Sequence, residues 1–128
     1  MKLHQQVTPD LNTIRSFEPA SIKINQQSFT SSLIVMPDFL EENWPIDHPD
    51  QLNAAIINQL LTYPAEIILI GTGHKHHLLD PVLCIEATQR GIGIEIMTTE
   101  AACRTYNVLL GEDRVVLAAL IIEKQIQV

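Results

Sequence analysis

Cysteine is scarce in this 128-residue chain: only Cys84 and Cys103 occur, and each sits in an apolar helical pattern. That excludes a disulfide-stapled secreted scaffold, and the two are expected to be reduced core thiols. Basic residues are few as well. Eight Lys and Arg stand against fifteen Asp and Glu, a formal net charge of −7. Such a surface repels phosphate backbones and anionic headgroups, which excludes nucleic acid and membrane surfaces as general partners. The longest apolar runs, Ile67–Ile70 and Val115–Ile122, are far shorter than the roughly 20 residues that span a bilayer. The first residues, Met1-Lys2-Leu3-His4-Gln5-Gln6, lack a hydrophobic signal region and an Arg/Ser-rich amphipathic pattern. A cytoplasmic, soluble protein is expected. Familiar cofactor motifs are missing too. The dinucleotide pattern Gly-x-Gly-x-x-Gly fails at His76, Gly-Lys-Ser/Thr is absent, and no Ser or Cys sits at a nucleophile elbow. No cofactor is therefore expected.

What is present is enough apolar residue to build a core. The hydrophobic fraction is 46% and the charged fraction 18%, which excludes a mainly disordered chain. At this length about two thirds of the unfolded surface can be buried, so one domain spanning residues 1–128 is expected, its polar first twelve residues poorly ordered.

The N-terminal half alternates like strands. Ile14 to Pro19 and Ser21 to Asn25 are predicted strands, and Phe29, Ser31, Leu33 and Val35 occupy alternate positions of a further one ending at Pro37. The short Gln26-Gln27 link predicts an antiparallel hairpin, although it lacks the favoured glycine. Residues 38–50 form an acidic loop with Asp38, Glu41, Glu42, Asp47 and Asp50 and no Lys or Arg. It holds the only tryptophan, Trp44, a candidate aromatic anchor for a protein partner. Asp47-His48-Pro49-Asp50 reads as a helix start, and Leu52, Ala55, Ile56 and Leu60 mark its stripe.

The C-terminal half repeats strand and helix. Glu66–Ile70 is apolar on both faces, hence central in a sheet. A helix from Asp80-Pro81 ends at Gly91, a strand carries Ile92, Ile94 and Ile96, a helix starts at Thr98 or Thr99, and Arg114–Ile122 is the last strand. Right-handed crossovers make this βαβαβ unit parallel. The predicted fold class is α/β: a single compact domain with a mixed sheet, a C-terminal parallel βαβαβ core and an N-terminal antiparallel hairpin.

Ligands of open α/β sheets favour the crevice beyond the carboxyl ends of the parallel strands. Two segments fall there, Gly71-Thr72-Gly73 and Met97-Thr98-Thr99. Glycine lets backbone N–H groups turn toward an anion, and a helix start adds free donors. Gly71, Thr72, Gly73, Thr98 and Thr99 are thus candidate ligand-binding residues for a small anion, with Arg104 as a charge that could fold back. Steric need for glycine, helix capping and a Glu100–Arg104 helical ion pair account for the same residues without any ligand. His74, His76 and His77 flank Lys75. Three histidines this close cannot readily converge on one ion from an extended backbone, so a polar loop without metal is expected.

The C-terminal half also resembles a small, widespread α/β family. The resemblance rests on Gly71-Thr72-Gly73, Gly91-Ile92-Gly93-Ile94-Glu95, Thr98 through Asn107, Glu112-Asp113-Arg114-Val115 and Ala118-Ala119-Leu120. That family includes a mitochondrial respiratory complex I assembly factor and an adipogenesis-associated protein. The resemblance implies a single α/β domain with a mixed sheet and no established catalytic activity. It also implies an assembly role exerted through protein contacts. The His74–His77 loop is not part of the family pattern. Two functions follow as expectations: a non-enzymatic interaction module for a larger complex, or a small-anion-binding protein or enzyme using the crevice at the strand ends.

Overall fold

The structure, a computed structural model, describes residues 10–124. Its strands are β1 (Ile14–Glu18), β2 (Ser21–Ile24), β3 (Gln27–Phe29), β4 (Leu33–Met36), β5 (Phe39–Glu41), β6 (Ile67–Gly71), β7 (Gly93–Met97) and β8 (Val116–Leu120). The helices are α1 (Ala54–Leu60), α2 (Ile85–Gln89) and α3 (Thr99–Gly111).

The two most apolar strands lie where both faces can be covered. β8 is buried at every position, and β6 at all but Ile67. They sit side by side inside a five-stranded sheet of order β5-β4-β8-β6-β7. β6 pairs in parallel with β7 and with β8, whereas β4 runs antiparallel to β8 and to β5. The parallel core and mixed sheet expected from the repeated strand–helix pattern are therefore present.

Period-2 alternation divides the core in two. Leu33, Val35, Leu69, Val116, Ala118 and Leu120 face α3 and the strands β1–β3, meeting Ala102, Tyr106, Ile22 and Phe29. Ile34, Met36, Ile68, Ile70, Leu117 and Ala119 face α1 and α2, meeting Ile57, Leu60 and Ala87. Three layers result, with the larger sheet in the middle.

Several boundaries differ from the sequence reading. The expected strand from Phe29 to Val35 is broken at residues 30–32, so β3 closes a separate three-stranded sheet β1-β2-β3 while β4 joins the large one. Buried Ser32 makes that switch. Its hydroxyl accepts from the Ile122 N–H at 2.8 Å, tying the corner to the end of β8. The β2–β3 turn manages without glycine because Asn25 takes the left-handed conformation, at φ 53°. The helix expected from Asp47 is a 3-10 turn at Pro49–Gln51 and then, after a break, α1 capped by Asn53. The helix expected from Asp80 begins as a 3-10 turn at Pro81–Cys84, leaving α2 only five residues.

The acidic loop contains β5, and its Trp44 is only 7% exposed, packed in the core beneath α1. The candidate anchor thus lies in a core cluster with Ile34, Met36 and Ile46. The described part of the N-terminal segment is anchored rather than loose. The Asn12 N–H donates to the Pro37 carbonyl at 2.8 Å, and its side-chain amide donates to Met36 and Phe39. Residues 1–9 of that expectation lie outside the described residues.

Candidate functional site

The parallel register sets Gly71 opposite Met97 on one side and Leu120 on the other. The three carboxyl ends therefore share one rim. The connection from β6 leads to α2 on one face and that from β7 to α3 on the other, the arrangement that usually opens a ligand crevice.

Here the crevice is stitched shut. Thr99, the first residue of α3, is buried, and its hydroxyl accepts from the Gly73 N–H at 2.8 Å and donates to the Ile121 carbonyl at 2.7 Å. One side chain thereby ties the end of β6, the end of β8 and the start of α3. Its own N–H donates to the Gly73 carbonyl at 2.9 Å. Glycine at 71 follows directly, because a Cβ there would lie 2.7 Å from the Thr99 Cα. Thr72 is also buried, and its hydroxyl donates to the Lys75 carbonyl at 2.6 Å. Thr98 caps α3 by accepting from the Ala101 N–H at 3.2 Å.

Gly71, Thr72, Gly73, Thr98 and Thr99 thus gather at the rim, with the donors and acceptors named above engaged within the chain. Arg104 does not join them. Its guanidinium pairs with Glu100 at 3.1 Å and its side chain is 68% exposed. It borders a separate hollow between α3 and β1, lined also by Arg15, Cys103 and Asn107. One helical turn and more separates it from the rim, and its helical ion pair holds it there.

The rim does open beside the stitch. A depression of about 760 Å³ is lined by Phe17, Pro19, Ile121, Gly73, His74, His48 and Glu123, among others. Glu123, just beyond β8, reaches the rim beside Gly73. Its carboxylate accepts from the His74 N–H at 3.0 Å and pairs with the His74 Nδ1. Gly73, with φ at +99°, makes this possible, since a Cβ there would overlap the Glu123 carboxylate. Burial acts to raise the Glu123 pKa. The bonds from the His74 N–H and imidazole, and the charges of His74 and His48, outweigh it and leave the carboxyl below its usual range.

His48 approaches the same carboxylate, with Nε2 at 3.9 Å from Glu123 Oε2. Its Nδ1 accepts from the Asp50 N–H at 3.1 Å, capping the 3-10 turn. Among the described residues no group of three His, Cys, Asp or Glu is arranged to hold a metal. Sequence reasoning did not single out Glu123 or His48. The available signal was that Glu123 follows a parallel strand whose end reaches the same rim as Gly73.

A second polar junction lies on α3. Asn107 presents its amide as a strand would, with Oδ1 accepting from the Ile14 N–H at 3.0 Å and Nδ2 donating to the Ile14 carbonyl at 2.7 Å. The Tyr106 hydroxyl donates to the Asn12 carbonyl at 2.8 Å. Burial pushes the Tyr106 phenol upward, and the Cys103 thiol is pushed up to about 12, chiefly by burial. A thiol so held stays protonated and unreactive at neutral pH.

Known proteins are similar to this chain in sequence and in fold. A Danio rerio protein named "NADH dehydrogenase [ubiquinone] 1 alpha subcomplex assembly factor 3" is 31% identical over 110 residues, 84% of this chain and 63% of that protein. The chain thus spans less than two thirds of that relative's length. A Francisella tularensis protein named "13 kDa major membrane protein" is 36% identical over 83 residues, 64% of this chain and 67% of that one. The crystal structure of a Bordetella parapertussis protein superimposes with a TM-score of 0.84 at 34% identity, covering 92% of this chain and all of that one. The family pattern described as "Protein of unknown function (DUF498/DUF598)" matches residues 14–121. That span holds every strand of both sheets and the whole of α3, and the chain belongs to the DUF498/DUF598 family.

Proposed function

We propose that this protein is a non-enzymatic interaction module that helps assemble a larger, respiratory-type complex. The observation that carries the reading is kinship with a protein named as an assembly factor for NADH dehydrogenase. Two features of the chain support it. The hydroxyls of Thr72 and Thr99 at the strand ends are engaged in holding the fold together. Apolar side chains are also exposed on the β6–β7 connection, where Leu78 is 90% exposed and Val82 and Ile85 follow at spacings of four and three. Protein contacts bury such side chains at a gain of about 25 cal/mol per Å².

The test is genetic and biochemical. Deleting the gene should lower the amount of assembled membrane NADH dehydrogenase on native gels. Wild type should restore it, and a Leu78→Ser/Val82→Ser/Ile85→Ser variant should not. Unchanged complex in the deletion strain would defeat the reading. A cytoplasmic location belongs to the same proposal. Among the described residues no helix is long and apolar enough to cross a membrane, while one relative bears a membrane-protein name. Fractionation should find the protein in the soluble pool, and quantitative recovery with membranes would refute that part.

The alternative, a small-anion site or an enzyme at Gly71, Thr72, Gly73, Thr98, Thr99 and Arg104, draws support from the shared rim of the strand ends. Stabilisation by inorganic phosphate, lost in Arg104→Ala, is its expected signature. Equal stabilisation of that variant counts against it.

A further inference from the structure

The sign of the charge at the rim is opposite to the one that its glycines and helix start suggest. We propose that the depression beside Gly73 binds a small organic amine in its ammonium form, with Glu123 as counter-ion and Phe17, Pro19 and Ile121 as an apolar bed. This goes beyond the assembly reading and does not depend on it.

The cavity, about 760 Å³, falls within the usual range for small-molecule sites, roughly 300–1,000 Å³. Its polar groups favour a cation. Glu123 Oε1 is fixed by the His74 N–H and imidazole, which leaves Oε2. The closest described ion-pair partner of Oε2, His48 Nε2 at 3.9 Å, is beyond hydrogen-bond reach. Lys124, the ammonium in the same lining, is paired with Asp47 at 3.5 Å and 85% exposed. Among the described residues, Oε2 is thus a carboxylate oxygen with unused acceptor capacity on a side chain only 19% exposed, where screening is weaker than in bulk water. An ammonium group carries three donors and a positive charge, which suit a carboxylate oxygen with a lone pair to spare.

An anion would fare worse. The Gly73 and His74 N–H groups that could bind it are held by Thr99 and Glu123, and the Glu123 carboxylate would repel it.

The experiment is a ¹H–¹⁵N spectral titration of the full chain with benzylamine, benzyl alcohol, benzoate and inorganic phosphate. Millimolar benzylamine should shift the Gly73, His74 and Thr99 amides saturably. Benzyl alcohol, the same body without charge, should bind at least about tenfold more weakly. Benzoate and phosphate should give no saturable shift. Glu123→Gln should weaken benzylamine by about tenfold. If that variant does not fold, the amine-to-alcohol ratio on wild type decides alone. The proposal falls if benzoate or phosphate binds these residues as tightly as benzylamine, if the alcohol matches the amine, or if benzylamine causes no saturable shift.

Discussion

The two faces of the five-stranded sheet are held in different ways. On the α3 face, polar bonds span great sequence distances: Asn107 grips Ile14, Tyr106 reaches Asn12, and Thr99 joins Gly73 to Ile121. On the α1–α2 face, the caps are local. Asn53 caps the first turn of α1, Asp80 accepts from the Val82 N–H, and Thr88 bonds back to Cys84. That face also exposes Leu78, Val82 and Ile85. Long-range bonds to backbone groups make one face costly to open, whereas locally capped segments can change without disturbing the rest. The contrast is between a face tied by distant bonds and one that leaves Leu78, Val82 and Ile85 exposed.

The sharpest way to break that contrast is Gly71→Ala. A Cβ would press on the Thr99 backbone, which belongs to a helix start and cannot rotate aside. Urea denaturation should show a loss of about 3 kcal/mol, at the upper end for overpacking. A loss under about 1 kcal/mol would mean the rim is looser than the contacts imply. Thr99→Val should come next. It keeps the shape and strands the Gly73 N–H and Ile121 carbonyl, a cost of about 2 kcal/mol by the same measurement.

Glu123→Gln has a smaller effect with a pH signature. The carboxyl pKa is lowered in the folded state, so its stabilisation is present above the ordinary carboxylate value and disappears as pH falls through the lowered one. At pH 7 the variant should be less stable by about 1.5 kcal/mol, the low end for a hydrogen bond to a charged group. The gap should close as the buffer is taken below the usual carboxylate range, and a gap independent of pH would contradict the ion-paired geometry. The smallest effect belongs to the other face. Leu78→Ser should stay within about 0.5 kcal/mol of wild type, because the side chain is already in water. A large loss there would show that this face, too, is structural.

Much of this fold is readable from local pattern. The continuous apolar runs of β6 and β8 mark central strands, and the strand–helix repetition makes them parallel. Thr98 caps a helix in the expected place, because capping depends on the next three residues alone. Other placements needed the neighbours. Trp44 stands among acids in the sequence and packs in the fold with Ile34 and Met36 of β4. Arg104 pairs with Glu100, one turn earlier on the same helix. The break after Phe29 is invisible to alternation, since Ser32 answers to Ile122, ninety residues away.

The sequence by itself determined which segments form the parallel strands and α3, that those strands end on a common rim, and that glycines stand at that rim. Hydrophobic periodicity and capping are short-range and survive without knowledge of neighbours. Tertiary structure alone decided what the rim is. It brought Glu123 against His74 across 49 positions and engaged the Thr99 hydroxyl with the segments that follow two strands. Local pattern fixes which groups a chain carries. Only the folded backbone fixes which of them are left facing solvent with a bond still to make.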